Sequence, residues 1–211
     1  LAVGSQGTAQ IIDTASLGTA VPTTVTMFAS RQNASVTVIG GGKVLVAGGQ
    51  GNGGTYLNAA EIFDPVANTF TQTTTAMPVA RASHTATWLA ASGKVLIAGG
   101  FNSGNSAAAE IYDPIAVTFT ATGAMITPRA GHTATLLDNG KVLIAGGQTP
   151  TGPDNVLVAT GEIFDPATGT FTAVPGTMIA GRVRHTATLL ADRSVLLNGG
   201  RRGANFSDAA T

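Results

Sequence analysis

A double glycine recurs four times along this chain, each time at the end of a short apolar segment. Successive pairs are separated by 51, 47 and 53 residues. A period near 50 residues is the length of one four-stranded propeller blade, and repetition at such a spacing is the mark of a repeat architecture. The repeat therefore predicts an all-β propeller with about four blades' worth of chain. The pairs are Gly48-Gly49, Gly99-Gly100, Gly146-Gly147 and Gly199-Gly200.

Each repeat contains four segments that are typical of strands. The first alternates Thr with Ala, and the second is a Val-Leu-Ile run that ends at the double glycine. The third reads Glu-Ile-aromatic-Asp-Pro, and a Thr-rich fourth contains a Phe six residues after that Asp. β-Branched residues favour strands, and a run that is apolar on both faces indicates a strand covered by neighbouring sheets. We expect a four-stranded meander with its first strand nearest the propeller axis.

These motifs resemble the kelch repeat. The resemblance rests on the strand that ends in Gly-Gly, the aromatic-Asp-Pro step and the aromatic residue that follows it. Kelch proteins usually carry Trp at that last position, where this chain has Phe70, Phe119 and Phe171. The resemblance covers nearly all 211 residues and implies a kelch-type β-propeller of four-stranded antiparallel blades. The predicted units are a partial blade (1–26), three blades (27–76, 77–124 and 125–177) and a second partial blade (178–211).

The two ends of the chain leave the number of blades open. Thr8 to Asp13 resembles a degraded third strand, with Gln10 in the place of Glu. These residues could complete the last blade and close a four-bladed ring. Alternatively, the chain is a segment of a larger ring, because kelch domains resemble six- or seven-bladed propellers. We expect the second arrangement.

Composition excludes several classes of protein. Eleven basic and eleven acidic side chains cancel, and this balance disfavours a nucleic-acid partner, which requires clustered Lys and Arg. No apolar run approaches the roughly 18 residues of a membrane-spanning helix. The chain has no cysteine, so it contains neither a disulfide nor a cysteine nucleophile. Abundant Thr, Ala, Gly and Asn suit a secreted or cell-surface bacterial protein, which is the localisation we expect.

Histidine occupies one repeated position, three residues after a repeated arginine. If the first strand is innermost, these side chains could converge on the axis and bind zinc or copper. A copied unit also copies its packing residues, such as a His that bonds to a backbone carbonyl of the neighbouring blade. We expect the structural role and predict no metal and no cofactor. The histidines are His84, His132 and His185.

The repeated arginine follows each methionine after three intervening residues. These side chains could form a ring of guanidinium groups that grips carboxylates at the channel mouth. They could instead pair with the glutamates of the third strands, Glu61, Glu110 and Glu162, or with loop carbonyls. The recurrence favours pairing, although such loops also commonly face partners in kelch proteins. The arginines are Arg31, Arg81, Arg129 and Arg182.

The loops after the double glycines break the repeat and are the best candidates for recognition. They differ in length, and strand direction places them on the same face as the Met-to-Arg loops. Aromatic residues there could stack on a sugar or anchor a peptide. The residues predicted to bind a partner are Tyr56, Phe101, Asn102, Gln148, Asp154, Asn155, Arg201, Arg202 and Phe206, together with Arg81, Arg129 and Arg182.

We interpret the chain as a non-catalytic binding or assembly module that recognises protein or carbohydrate through this loop face. One alternative is a segment of a copper oxidase that resembles galactose oxidase. The crosslinked Cys-Tyr cofactor of that family requires a cysteine, and only Tyr56 and Tyr112 are available as tyrosine ligands. The other alternative is a structural unit of a cell-surface or filamentous assembly. Self-association, or contact with the rest of a longer chain, would then cover the blade faces. No nucleophile–base motif or phosphate loop is present.

Overall fold

The structure is a computed structural model that describes residues 2–3, 7–11, 23–104, 106–149 and 156–202. It is almost entirely β, as the repeat predicts, and consists of several antiparallel sheets. A three-stranded sheet comes first in the chain, with the order β1-β2-β3. Its strands are β1 (Ala2–Val3), β2 (Thr8–Ile11) and β3 (Thr23–Thr26).

Three complete four-stranded meanders follow, which we call blades 1, 2 and 3. Blade 1 contains β4 (Ser35–Val38), β5 (Val44–Ala47), β6 (Ala60–Asp64) and β7 (Thr69–Gln72). Short 3₁₀ helices, Gly40–Gly42 and Asn52–Gly54, connect β4 to β5 and β5 to β6. Blade 2 contains β8 (Thr85–Leu89), β9 (Lys94–Ala98), β10 (Ala109–Asp113) and β11 (Thr118–Ala121).

Blade 3 repeats the arrangement and carries a small extra hairpin between its second and third strands. Its strands are β12 (Thr133–Leu136), β13 (Val142–Ala145), β16 (Gly161–Asp165) and β17 (Thr170–Ala173). The hairpin pairs β14 (Gln148–Thr149) with β15 (Val156–Leu157). A two-stranded sheet, blade 4, then pairs β18 (Thr186–Leu189) with β19 (Val195–Asn198).

The first strands of successive blades contact one another, β4 with β8, β8 with β12 and β12 with β18. They therefore line the centre of the array, which confirms the predicted position of the first strand. The second strands carry the core: every residue of β5 is buried, and nearly all of β9 and β13. Side chains of adjacent blades share one cluster, such as Leu45 of blade 1 with Val95 and Ile97 of blade 2.

The double glycines join each blade to the next. Gly48 and Gly49 have φ angles of 60° and 99°, in the left-handed region that favours glycine. A Cβ on Gly48 would lie 2.5 Å from the carbonyl oxygen of Arg81 and 2.9 Å from Cε of Met77, both in blade 2. Gly49 N–H donates to that same carbonyl at 2.8 Å. Glycine is thus required both for the backbone conformation and for the close approach of the next blade.

The sheets at the two ends are separate. β2 confirms the strand predicted from Thr8, although Ile12 and Asp13 lie outside the described residues. β2 pairs with β1 and β3, whereas β18 and β19 pair with each other. Within the described ranges, the N-terminal strands do not complete blade 4.

Candidate functional site

Two sets of loops meet on one side of the blades, which we call the loop face. Isolated β-bridges join the loop after each double glycine to the Met-to-Arg loop that leads into the same blade. The prediction that both sets share a face is therefore correct. The bridges are Gln32 with Gln50, Ala82 with Phe101, Ala130 with Gln148, and Val183 with Arg201.

A cavity of about 240 Å³ opens on the loop face, where the inner ends of the four blades meet. Three residues predicted from the sequence line it, namely Tyr56, Phe101 and Gln148. The rings of Tyr56 and Phe101 form an edge-to-face pair with centroids 5.6 Å apart. They come from different blades, so the loops of blades 1 and 2 are held together at the rim of the cavity.

Four further lining residues occupy equivalent positions, two residues after each repeated arginine: Asn33, Ser83, Gly131 and Arg184. Their φ angles lie between 53° and 63°, in the left-handed region. Each backbone N–H donates to the carbonyl of the previous one, from Ser83 to Asn33 at 2.9 Å and from Gly131 to Ser83 at 3.0 Å. Arg184 donates to Gly131 at 2.9 Å. These hydrogen bonds form an arc around the centre of the array and fix the side chains at the cavity mouth.

Sequence reasoning missed these four positions, although a signal exists. They are Asn, Ser, Gly and Arg within a motif that otherwise repeats, and residues that break a repeat are candidates for recognition. Non-glycine residues in the left-handed region are uncommon, so their conformation could not be read from the sequence.

The repeated arginines are buried, which corrects their assignment to the binding surface. Arg81 and Arg129 are completely inaccessible, and Arg182 is nearly so. Nη1 of Arg81 donates to the carbonyls of Gly99 and Ala108, at 2.8 and 2.7 Å, and Nη2 pairs with the Glu110 carboxylate. Burial removes these guanidinium groups from any partner, so the alternative role is the observed one: Arg81 and Arg129 pair with third-strand glutamates, and Arg182 contacts backbone carbonyls.

The same arrangement recurs in the other blades. Arg31 pairs with Glu61, and Nη2 of Arg129 lies 2.6 Å from Oε1 of Glu162. The Glu162 carboxylate also accepts the backbone N–H groups of Ile126 and Thr127. Arg182 donates to the carbonyl of Gly199 at 3.2 Å. Each arginine thus fastens the incoming loop to the sheet beneath it.

Burial affects the titration of the ion pair in blade 2. Burial lowers the pKa of the Arg81 guanidinium, and Glu110 opposes that shift. Burial also raises the pKa of Glu110, against the opposing charge of Arg81. The pair satisfies both buried charges at once, and removing either partner would leave the other uncompensated.

The histidines bridge successive blades near the centre. Nε2 of His84 lies 2.8 Å from Oγ of Ser35, and Nε2 of His132 lies 3.0 Å from Oγ1 of Thr85. His185 reaches Oγ1 of Thr133 in the same way, at 3.0 Å. The structural role is therefore the observed one, with a hydroxyl rather than a carbonyl as partner. No group of three His, Asp or Glu side chains within the described ranges is placed to hold a metal ion.

Burial lowers the pKa of His84 and His132 to about 3, with a further contribution from the charges of Arg81 and Arg129 respectively. Both rings are consequently neutral at ordinary pH. A second cavity of about 390 Å³ contacts the three histidines and shares Asn33, Ser83, Gly131 and Arg184 with the first. The two cavities are therefore adjacent, one lined by loop residues and the other by the histidines, and we call them together the funnel.

The remaining predicted residues have different positions. Asn102 and Arg202 are exposed and Arg201 is half-buried, but none of the three lines the cavity. Asp154, Asn155 and Phe206 lie outside the described residues. Tyr112, considered as a copper ligand, is completely buried inside blade 2.

Each third strand carries a Glu and, three residues later, an Asp, and both have structural roles. Oδ1 of Asp113 accepts the N–H groups of Ile115 and Ala116, and Oδ2 lies 3.1 Å from Nζ of Lys94. Hydrogen bonds from Ala116 and Lys94 lower its pKa. This turn lies at the end of the blade opposite to the loop face.

A family model described as the kelch motif matches residues 31–76 and 128–178. These segments contain blades 1 and 3, and blade 2 between them has the same strand order. Kelch repeats generally mediate protein binding. No curated protein matches the chain. Within the described residues, no helix is long and apolar enough to span a membrane.

Proposed function

Since this chain carries a kelch-repeat domain, we propose that it is a non-catalytic module that binds a protein partner through its loop face. The observation that carries the proposal is the funnel whose rim holds the Tyr56–Phe101 pair. Aromatic residues beside a depression are frequent anchors of protein interfaces. Buried ion pairs hold each incoming loop to its own blade, and closely packed glycines hold successive blades together, so the rim of the funnel is preorganised.

Exposed apolar side chains elsewhere on the loop face support the proposal. Phe28, Ile126 and Ile179 each follow a repeated methionine, and their exposed fractions are 62, 61 and 100%. Met27 and Met125 are buried and Met178 is half-buried, while the residue after each of them faces solvent. Exposed apolar groups beside a polar cavity suit a surface that contacts another protein.

The carboxylate and imidazole groups that could take part in acid–base chemistry already form hydrogen bonds or ion pairs within the fold. Glu110 is paired with Arg81, Asp113 stabilises a turn, and the histidines bond to hydroxyl groups of adjacent blades. The cavity itself is lined mainly by amides, hydroxyls, small residues and the two aromatic rings. This lining can orient and hold a ligand, and it supports binding rather than acid–base chemistry.

The test is selection of a random linear peptide library, displayed on phage, against the immobilised protein. Affinities of the enriched peptides are then measured by surface plasmon resonance. We expect the double variant Tyr56→Ala/Phe101→Ala to weaken binding by about tenfold or more, because truncation of interface aromatics commonly costs at least 1.4 kcal/mol.

Ile115→Ala is the matched control. Ile115 is an exposed apolar residue on the opposite face, with 92% of its surface accessible. Its replacement should leave the affinities unchanged. Enriched peptides that lose affinity through Ile115→Ala and keep it in the aromatic double variant would contradict the assignment of the loop face.

A further inference from the structure

Charged side chains are segregated between the two faces of the blades. Within the described residues, every acidic side chain is either buried in an Arg–Glu pair or lies in a turn opposite to the loop face. Among the described residues, which do not include Asp154, the solvent-accessible charges of the loop face are all positive. The opposite-face acids are Asp64, Asp113, Asp138, Asp165 and Asp192, and the loop-face cations are Arg184, Arg201 and Arg202.

The loop-face cations are grouped on two adjacent segments. Val183 pairs with Arg201 through a β-bridge, so Arg184 and Arg202 flank the same short ladder. Among the described residues, Arg184 contributes the only charged side chain to the lining of the loop-face cavity, and it also lines the second cavity. Neither Arg184 nor Arg202 forms an ion pair with any residue that the structure describes.

Gly131 packs closely against the residue before Arg184. A Cβ on Gly131 would lie 2.7 Å from Cγ2 of Val183, whereas its distance of 3.9 Å from Cγ of Arg184 would be an ordinary contact. The absence of a side chain at Gly131 therefore lets Val183 approach the arc. The rest of the lining includes the neutral amide of Asn33 and the hydroxyl of Ser83.

From these observations we propose that the loop-face funnel receives a carboxylate side chain from an acidic segment of the partner protein, with Arg184 as its counter-charge. The inference rests on the proposed function and names the chemistry of the partner. A guanidinium group binds a carboxylate through two parallel hydrogen bonds, and the amide of Asn33 and the hydroxyl of Ser83 lie in the same lining. The carboxylate side chain would enter through the loop-face cavity of about 240 Å³, which Arg184 lines.

The test uses the same random peptide library, selected in parallel on the protein, on Arg184→Glu and on Arg193→Glu. Arg193 is the matched control, since it is an exposed arginine with a positive φ on the opposite face. We expect Asp and Glu to be enriched with the unaltered protein and with Arg193→Glu. Arg184→Glu should lower the affinity of the acidic peptides by about tenfold. Selection on this variant should enrich Lys and Arg instead. Circular dichroism verifies folding, and Arg184→Gln provides a neutral variant with the same expected loss.

Three results would overturn the inference. The enriched peptides could show no excess of acidic residues, or Arg184→Glu and Arg193→Glu could weaken them equally. A single-stranded oligonucleotide could also compete with the peptides at equal charge concentration, which would indicate a general polyanion surface. If the Tyr56/Phe101 double variant still abolishes binding in any of these cases, the proposed protein-binding function stands while the carboxylate inference fails.

Discussion

Nε2 of His132 lies 3.0 Å from Oγ1 of Thr85, and the two residues belong to successive blades. The His132 ring also packs over Gly99 of blade 2, where an added Cβ would lie 2.6 Å from Cε1. The His132 side chain therefore contacts both inner strands of blade 2, at Thr85 in β8 and at Gly99 after β9, and so joins blade 3 to blade 2. A second equivalent contact joins His84 to Ser35. Protonation of these rings therefore acts directly on the blade interfaces.

We predict that the protein loses stability as the pH falls below about 6.5. Burial lowers the pKa of His84 and His132 to about 3 in the folded protein, whereas unfolded histidine titrates near 6.5. The unfolded chain then binds more protons, so the free energy of unfolding decreases from about pH 6.5 down to about pH 3. Each ring contributes a slope of about 1.4 kcal/mol per pH unit. Urea unfolding at pH 7, 6 and 5 measures this slope.

His132→Gln keeps a polar side chain and removes one titrating group. We expect its unfolding free energy to depend less on pH than that of the unaltered protein, by about 1.4 kcal/mol per unit. Equal slopes for the two proteins between pH 6.5 and 5 would contradict the assignment of a neutral, buried His132.

We predict that breaking a buried ion pair lowers the free energy of unfolding far more than breaking an exposed one. Glu110→Ala leaves the inaccessible Arg81 guanidinium without a counter-charge, and such a change commonly costs about 3–5 kcal/mol. Lys94→Ala breaks the solvent-exposed pair with Asp113 in the same blade and should change stability within experimental error. Urea unfolding of both variants provides the comparison. Similar losses in the two would show that burial does not set the strength of the pair.

We predict that two glycines with the same backbone conformation differ in their tolerance of alanine. Gly99 and Gly199 have φ angles of 66° and 68°. At Gly99 an added Cβ would lie 2.5 Å from the carbonyl oxygen of Arg129, whereas at Gly199 no atom of the described residues lies within 4 Å. Both variants incur about 1–2 kcal/mol of left-handed strain, and Gly99→Ala adds about 1–3 kcal/mol of overpacking. Thermal unfolding should therefore separate them, and equal melting temperatures would disprove the role of blade contact at Gly99.

The sequence predicted the blades well because every copy carries the same local signals. The third strand, expected to start at Glu61, spans Ala60–Asp64, and the second strand ends at Ala47, as expected. Periodic apolar runs and the Asp-Pro turn act within one repeat, so they could be read without knowledge of the neighbouring blade.

The contacts between repeats were less accessible to sequence reasoning. A hydroxyl was not anticipated as the partner of His84, because Ser35 lies 49 residues away and meets it only when two blades pack. Arg184 was missed for a related reason. Its place at the funnel depends on a left-handed conformation that arginine rarely adopts and on an arc of hydrogen bonds across blades. The aromatic pair at the rim was found because loops that vary within a repeat stand out.

We predict that Tyr112→Phe stabilises the protein. The Tyr112 ring is completely buried and packs on Phe119 with centroids 4.6 Å apart, and its hydroxyl has no hydrogen-bond partner among the described residues. Blades 1 and 3 carry Phe63 and Phe164 at the equivalent positions. Removing an unsatisfied buried hydroxyl should raise the unfolding free energy by about 1 kcal/mol. The reverse change, Phe164→Tyr, buries a new hydroxyl and should lower it by a similar amount. Urea unfolding of both variants tests the pair, and a loss of stability in Tyr112→Phe would show that the hydroxyl is satisfied in solution.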